Sequence, residues 1–240
     1  MRTREVKEHN VSTYFPKGKV VFFATGNIHK FNEARRILAK FRIAIAMVRV
    51  EAIEIQDNDI ENIAKASATD ALKKTGLPLI VEDAGLFIEE LNGFPGPYSK
   101  YVYQTLGTKG VLKLMEKIEK RDAFFHSVVA FCSPRGDSRT FHGEVRGKIS
   151  LQERGRYGFG FDPIFQPFNN DHKTFAEMSI QKKNQFSHRA KALQGFAKWY
   201  TSMLRRRFKI CHCSLAVKEC MVNKNAKEGK REFTVNSSSQ

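Results

Sequence analysis

Three short stretches of the sequence combine residue types that can bind a phosphorylated ligand and act on it. The first, Thr25-Gly26-Asn27 followed by Lys30, joins an apolar strand-like run to a helical one. The first turn of a helix has unpaired N–H groups and a partial positive charge, and Gly26 would let an anion approach them. Lys30 adds a full positive charge. The stretch predicts a phosphate cradle; the alternative is an ordinary strand-to-helix turn in which Asn27 is only the N-cap.

The second stretch, Leu79 to Leu86, predicts a buried strand that carries Glu82 and Asp83 at its C-terminal end, just before a glycine-containing turn. Ligands of open α/β sheets collect at the carboxyl ends of strands. Because side chains alternate along a strand, we expect the two carboxylates to point to different sides, so that one of them can be catalytic without the other.

An acidic segment, residues 51–59, includes Glu54 and gathers carboxylates that would repel one another unless a cation lay between them. A solvated loop that caps the next helix is the alternative. Carboxylate oxygens beside a phosphate site suit Mg²⁺, which binds one or two protein carboxylates together with substrate phosphates.

The third stretch, residues 158–165 (GFGFDPIF), places aromatic rings and one carboxylate between glycines. Such rings could stack on a heterocycle that Asp162 would hydrogen-bond, and an aromatic turn of the core is the alternative. Further on, Ser187 is a good N-cap for the last helix, which puts His188 and Arg189 in its first turn. A lone histidine there is more often structural, whereas the neighbouring arginine favours contact with a ligand.

Strands and helices alternate in the first half of the chain, and a hairpin follows, so the sequence predicts an α/β fold with a mixed sheet. The helix over 108–118 should turn five apolar side chains to the core. The predicted strands are Val20 to Ala24, Arg42 to Val50, Ala123 to Cys132 and Arg139 to Ser150. The first predicted helix ends at Leu38, another runs from Asp59 to Lys74, and the last, which begins after Ser187, ends at Arg205. The core face of the helix over 108–118 is Val111, Leu112, Leu114, Met115 and Ile118.

The 240 residues, 41% of them hydrophobic, are enough for one substantial core. No apolar run reaches the ~20 residues that cross a bilayer, and the N-terminus is polar, so we expect a soluble, cytoplasmic protein without membrane contact. Cys132 stands alone in the body, while Cys211, Cys213 and Cys220 lie in the tail, a pattern that indicates neither a disulfide framework nor a zinc site.

More than half of the net charge of +16 lies in residues 1–19 and 201–240. Basic ends of this kind are typical of solvated extensions, and contact of the tail with nucleic acid stays open as an unsupported alternative. A nucleic-acid-binding module is the rival from another functional class. It predicts an affinity for nucleic acid that falls steeply as the salt concentration rises, and it assigns no role to Glu54, Glu82 and Asp83.

Taken together, these stretches resemble the inosine triphosphate pyrophosphatase family, also called the Ham1-like family. The resemblance runs from Lys19 to Tyr200, and its blocks follow in family order: TGNxxK at 25–30, Glu54 in IEIQ, VEDAGL at 81–86, GFPGPYS at 93–99, GFGFDPIF at 158–165, and AEM, KN and SHR ending at Arg189. The related Maf-like family shares the architecture, but the GFGFDPIF and SHR blocks argue against it. A catalytically silent nucleotide-binding homologue is a further alternative.

The resemblance implies an elongated mixed sheet flanked by helices, in two lobes with the nucleotide in the cleft between them, and a homodimer. It implies hydrolysis of ITP, dITP and XTP to the monophosphate and pyrophosphate, with Mg²⁺ as cofactor. Residues 19–205 would form the catalytic domain, between a basic N-terminal extension (1–18) and a basic C-terminal tail (206–240).

The resemblance also implies roles for individual residues. Asp83 would be the base for the attacking water and, with Glu54, a ligand of Mg²⁺. The expected substrate contacts are Thr25, Gly26, Asn27, Ile28, His29, Lys30, Lys65, Ala84, Lys100, Phe159, Gly160, Phe161, Asp162, Lys183, Ser187, His188 and Arg189.

Overall fold

A mixed seven-stranded sheet is the framework of the computed structural model, which describes residues 20–168 and 172–206. Six strands lie in the order β2-β1-β3-β5-β6-β7, and the short β4 pairs with β3. Their bounds are β1 Val20–Ala24, β2 Ala44–Val48, β3 Leu79–Ile88, β4 Pro95–Gly96, β5 Asp122–Cys132, β6 Ser138–Ile149 and β7 Phe165–Pro167.

The first half of the sheet is parallel and the second half antiparallel, so the predicted mixed α/β fold is confirmed. Strand β1 runs parallel to β2 and β3, whereas β3, β5, β6 and β7 pair antiparallel in turn. The helices are α1 Ile28–Ala39, α2 Ile60–Thr75, α3 Ser99–Thr105, α4 Gly107–Leu114, α5 Ile180–Phe186 and α6, residues 188–197. Two 3-10 helices cover Glu89–Leu91 and Phe175–Glu177.

Helix α2 covers one face of the sheet with a stripe of small and branched side chains. Ile60, Ala64, Ala68 and Ala71 pack on Val128 and its neighbours. Its bounds agree with the sequence: Asp59 accepts a hydrogen bond from the N–H of Glu61, and Gly76 ends the helix with φ +64°. A left-handed residue at this position suits glycine, which has no Cβ to clash.

Two local predictions are wrong. Strand β3 does not end before a turn at Gly85 but continues to Ile88, because it pairs with β5 along its whole length, from Leu79 to Ile88, and this ladder supplies partners for the backbone groups on that side. Helix α4 is shorter than predicted, because it ends at Leu114. The side chain of Leu114 is 48% exposed and so lies outside the core face, whereas Val111 and Met115 are buried as expected.

The chain divides into two compact units after Ala197. Of the second unit, the structure describes residues 198–206, which are helical. No helix in the described ranges combines the length and apolarity that crossing a bilayer requires. The predicted N-terminal extension, nearly all of the predicted tail and its three cysteines lie outside the described residues. The predicted domain bounds, the two lobes and the cleft stay predictions.

Candidate active site

The predicted phosphate cradle lies where β1 turns into α1. The carboxamide oxygen of Asn27 accepts hydrogen bonds from the N–H groups of His29 (2.9 Å) and Lys30 (3.2 Å), and the hydroxyl of Thr25 accepts one from Asn27 N–H (3.1 Å). Asn27 is therefore a true N-cap, which satisfies two of the free N–H groups of α1. The positive features left for an anion are the ammonium of Lys30 and the dipole of α1.

Glu82 and Asp83 lie beside this junction, even though they are in the middle of β3. Strand β1 pairs with β3 only as far as Phe23 and Ile80, so the two carboxylates follow just beyond the end of β1. They point to opposite faces, as strand geometry requires. Lys30 nevertheless reaches both, with Nζ 3.2 Å from Glu82 Oε2 and 3.9 Å from Asp83 Oδ1.

The two neighbouring carboxylates differ in exposure and in pKa. The side chain of Glu82 is fully buried; burial would raise its pKa, but Arg189 and Lys30 hold the pKa of Glu82 well below its usual range. The side chain of Asp83 is 29% exposed. Desolvation raises the pKa of Asp83, and the charges of Glu82 and Glu54 raise it further against the opposing effect of Lys30. Asp83 is thus the reachable and more basic carboxylate, as a general base requires.

A series of alternating charges connects this position with residues 162–189, which follow the sheet in the sequence. Arg189 lies between Glu82 (Nε to Oε1, 3.1 Å) and Glu33 (Nη1 to Oε2, 2.5 Å). Lys183 lies between Glu33 (2.9 Å) and Asp162 (2.6 Å). The whole series is Asp83, Lys30, Glu82, Arg189, Glu33, Lys183 and Asp162, and all members except Lys30 and Asp83 are buried.

The two rings of the aromatic stretch have different surroundings: the core alternative holds for Phe161, while stacking of Phe159 on a heterocycle stays a prediction. Phe161 is 3% exposed and packs in the core near Tyr103. Phe159 is only partly buried; the ring of His29 stacks on it at 5.2 Å, and the charged groups of Lys183 and Arg189 lie 5.0 and 5.3 Å from its centre. Cations this close to an aromatic face are attracted to it.

Asp162 is held by a tight turn. Its Oδ2 accepts a hydrogen bond from Phe159 N–H (2.9 Å) and one from Lys183 Nζ (2.6 Å), and burial raises its pKa against the effect of Lys183. Gly158 makes the turn possible: it has φ +76°, and a Cβ there would lie 2.0 Å from Asp162 Oδ2. Gly160 also has positive φ (+62°) but has open space around it.

Helix α6 begins as the sequence predicts. The Ser187 hydroxyl accepts a hydrogen bond from Ala190 N–H (3.3 Å), which makes it the N-cap. The imidazole of His188 is 3% exposed and stacks on Phe125 with ring centres 4.5 Å apart. Burial lowers the pKa of His188 well below its usual value, so the ring is neutral at neutral pH. Its Nδ1 is buried and has no hydrogen-bond partner among residues 20–168 and 172–206.

The remaining expected residues lie at the margin of the site. Glu54 is exposed and pairs with Lys100 at 3.5 Å, while its charge reaches Asp83. Lys65 pairs with Glu61 at 2.6 Å on the surface of α2, and the structure records no contact between it and the charge series. Gly26 and Ile28 are exposed and Ala84 is partly buried beside Asp83.

Sequence reasoning missed two residues that organise this site. Glu33 joins Arg189 to Lys183, and Ser127 donates a hydrogen bond to Glu82 Oε1 (2.6 Å). A signal for Glu33 was available: it falls on the inner stripe of α1 with Ala34, Ile37 and Leu38, where a charge needs a partner. Ser127 lies within an apolar strand and offers no comparable signal.

The expected magnesium ligands fit the ion in number and kind. In the described ranges, no group of three or more His, Cys, Asp or Glu side chains is arranged to hold a metal ion. Glu54 and Asp83 supply two carboxylates, which is what Mg²⁺ takes when substrate phosphates and water complete its shell. The mutual repulsion that raises the pKa of Asp83 would be relieved by a cation between them.

Comparison with known proteins gives matches over about three quarters of the chain. A sequence model of the Ham1 family matches residues 21–199. A Methanopyrus kandleri protein named dITP/XTP pyrophosphatase is 52% identical over 180 residues, or 75% of this chain and 95% of that protein. A protein of the same name from Methanothermobacter marburgensis is 47% identical over 181 residues, or 75% and 96%. The structure of a HAM1 protein from Coxiella burnetii matches with TM-score 0.68 and 30% identity over 76% of this chain and 98% of that one.

Proposed function

This chain belongs to the Ham1 family, and on that premise we propose that it hydrolyses the non-standard purine nucleoside triphosphates ITP, dITP and XTP to the monophosphate and pyrophosphate. It is accordingly an enzyme, a hydrolase of nucleoside triphosphate anhydride bonds. The observation that carries the proposal is the placement of Lys30 at the first turn of α1, within 3.9 Å of the partly exposed carboxylate of Asp83.

At the phosphate end, this chain's residues would neutralise charge and activate water. Attack at the α-phosphorus expels pyrophosphate, so negative charge builds up on the leaving group. Lys30 and the positive end of α1 can stabilise it, since Asn27 fixes the first turn of α1. Asp83 would orient a water molecule in line and accept its proton, for which its raised pKa is favourable.

We propose that Glu54 and Asp83 hold Mg²⁺. When bound, the ion would neutralise phosphate charge and fix the geometry of the triphosphate. Lys100 is exposed and lies 3.5 Å from Glu54. When Glu54 binds Mg²⁺, the ammonium group of Lys100 would be free to contact the phosphates. We also propose that the chain forms a homodimer and acts in the cytoplasm. Sedimentation of the purified chain tests the homodimer.

At the base end, buried donors would recognise the 6-keto group. Arg189 and Lys183 are cations held by Glu33, with the face of Phe159 beside them. An oxygen at C6 can accept from such donors, whereas the 6-amino group of ATP would face them without an acceptor. A buried donor left unpaired costs about 1–3 kcal/mol, enough to select ITP and XTP against ATP. GTP carries the same 6-keto oxygen as ITP and would meet the same donors.

The experiment is pyrophosphate release from ITP, dITP, XTP, GTP and ATP by the purified chain, with Mg²⁺ and with a chelator. We expect Mg²⁺-dependent release from ITP, dITP and XTP, little from ATP, and no orthophosphate. Cleavage of ATP as fast as ITP would refute the specificity, and release of orthophosphate would refute the position of attack. Equal rates with the chelator would refute the magnesium site.

A further inference from the structure

Glu82 joins the two ends of the site on one buried carboxylate. Its Oε1 accepts a hydrogen bond from Ser127 (2.6 Å) and lies 3.1 Å from Arg189 Nε, while its Oε2 lies 3.2 Å from Lys30 Nζ. Lys30 also donates to the backbone carbonyl of Glu82 at 3.0 Å. Lys30 belongs to the phosphate end and Arg189 to the base end, so both halves of the proposed substrate site share this one anion.

The surroundings of Glu82 do not suit a metal ligand, although it is adjacent to Asp83. Its side chain has no exposed surface, and a lysine and an arginine lie within 3.2 Å of its two oxygens. A divalent cation would have to enter a buried position already occupied by positive charge. Asp83 and Glu54, by contrast, are 29% and 71% exposed.

The geometry of Arg189 depends on two carboxylates at once. Glu33 Oε2 accepts a hydrogen bond from Nη1 at 2.5 Å, and Glu82 Oε1 forms an ion pair with Nε at 3.1 Å, so a carboxylate lies at each of two edges of the planar guanidinium. Glu33 in turn also holds Lys183. If Glu82 lost its charge, Glu33 would be the anion that Arg189 keeps among the described residues. Lys30 would keep Asp83, at 3.9 Å, and the backbone carbonyl of Glu82, at 3.0 Å. One change would therefore loosen the base end and the phosphate end together.

We propose that Glu82 is a positioning residue rather than a metal ligand: it couples recognition of the base, through Arg189, to the grip on the triphosphate, through Lys30. This inference rests on the proposed function. Because Glu82 contacts both Arg189 and Lys30, it would hold Lys30 in position to bind the triphosphate at the same time as it orients Arg189 toward the base.

The test is Glu82→Gln, which keeps the side-chain length and an oxygen that can accept from Ser127 but removes the charge. Glu54→Gln is the matched control at a proposed metal ligand. For both variants, kcat and KM are measured with ITP and ATP, together with the Mg²⁺ concentration that gives half the maximal rate. Binding of inosine monophosphate is measured by calorimetry without metal, and folding is followed by thermal unfolding.

We expect Glu82→Gln to lower the ratio of kcat/KM for ITP to that for ATP by about tenfold, to raise KM for ITP, and to weaken metal-free binding of inosine monophosphate. Its half-saturating Mg²⁺ concentration should stay near that of the unaltered chain. Glu54→Gln should show the reverse pattern, with a raised Mg²⁺ requirement and an unchanged ITP-to-ATP ratio.

A raised Mg²⁺ requirement in Glu82→Gln with an unchanged ratio would overturn the proposal in favour of a metal ligand. A lower melting temperature with unchanged ratio and unchanged monophosphate binding would overturn it in favour of a purely structural role. If Glu82→Gln does not fold, Ser127→Ala removes the donor that fixes Oε1 and should give a smaller fall of the ratio; no fall there would also refute the proposal. Failure of the unaltered chain to cleave ITP would instead refute the proposed function, since monophosphate binding is measured separately.

Discussion

The carboxylate of Glu33 and the guanidinium of Arg189, 156 residues apart in the sequence, form a fully buried ion pair with Oε2 2.5 Å from Nη1. Burial opposes ionisation of Glu33, yet Arg189 and Lys183 keep its pKa below the usual value. The pair joins the first helix, which starts at the phosphate end, to the last helix of the described fold. Stability and the proposed recognition of the base therefore depend on the same contact.

Replacing Glu33 by alanine should destabilise the fold strongly. The change leaves Arg189 and Lys183 as buried cations with one partner fewer, a situation that costs about 3–5 kcal/mol. Denaturant unfolding without nucleotide measures the loss. Glu89→Ala is the control, because Glu89 pairs with Arg146 at 3.6 Å on the surface, where a pair contributes about 0–1 kcal/mol. Equal losses in the two variants would contradict the central place given to the Glu33 pair.

Gly158→Ala should disturb the base end selectively. Its Cβ would lie 2.0 Å from Asp162 Oδ2, so Asp162 must leave Phe159 N–H and Lys183. We expect KM for ITP to rise and discrimination against ATP to fall. Gly136→Ala is the matched control: Gly136 has φ +83°, and no atom of the described part of the chain lies within 4 Å of its added Cβ, so this variant carries only the backbone strain of about 1–2 kcal/mol. Steady-state kinetics that are the same for both variants would refute the steric argument.

Stability should fall below neutral pH because of His188. Burial holds its pKa well below the ordinary value of about 6.5, so only the unfolded chain gains this proton as the pH falls from about 6.5 toward the folded pKa. Within that window, stability should fall by up to about 1.4 kcal/mol per pH unit. Urea unfolding of the intact chain and of His188→Gln between pH 8 and pH 5.5 measures it. At pH 8, the difference in unfolding free energy between the two proteins reports packing alone. As the pH falls, the two plots of unfolding free energy against pH should converge, and parallel plots would exclude His188 as the cause.

Two substitutions at Asn27 should separate stability from activity. Asn27→Ser and Asn27→Asp both keep an N-cap oxygen for α1, so their unfolding free energies should stay within about 1 kcal/mol of the intact chain. Asp adds a negative charge beside Lys30, where a triphosphate would bind. Its KM for ITP should therefore rise about tenfold or more, with a smaller rise for Ser. Equal KM values for Ser and Asp would argue against phosphate binding at this helix end.

Local chemistry made much of this fold predictable. The bounds of β1 and the caps of α1, α2 and α6 follow from apolar runs and from Asn27, Asp59 and Ser187 at their ends. The end of β3 was predicted wrongly because Gly85 looks like a turn residue in the sequence. In the fold, Gly96 O would lie 2.3 Å from a Cβ at Gly85, so this glycine permits a close backbone approach within the sheet.

The long-range part of the site was not predictable from spacing. That Glu82 is buried between Lys30 and Arg189, and that Glu33 holds Arg189 and Lys183, depends on how helices pack on the sheet. No local pattern encodes those distances. The division of the aromatic stretch, with Phe161 in the core and Phe159 at the site, likewise depends on which ring meets the packed interior.

Whether Asp83 is the base for hydrolysis is tested by the rate of pyrophosphate release from ITP by the intact chain and by Asp83→Asn, with saturating Mg²⁺ for each. We expect the intact chain to cleave ITP and XTP far faster than ATP. In Asp83→Asn, which keeps the size of the side chain but loses its basicity, kcat for ITP should fall by about 100-fold or more. Undiminished kcat in Asp83→Asn would contradict the assignment of the base.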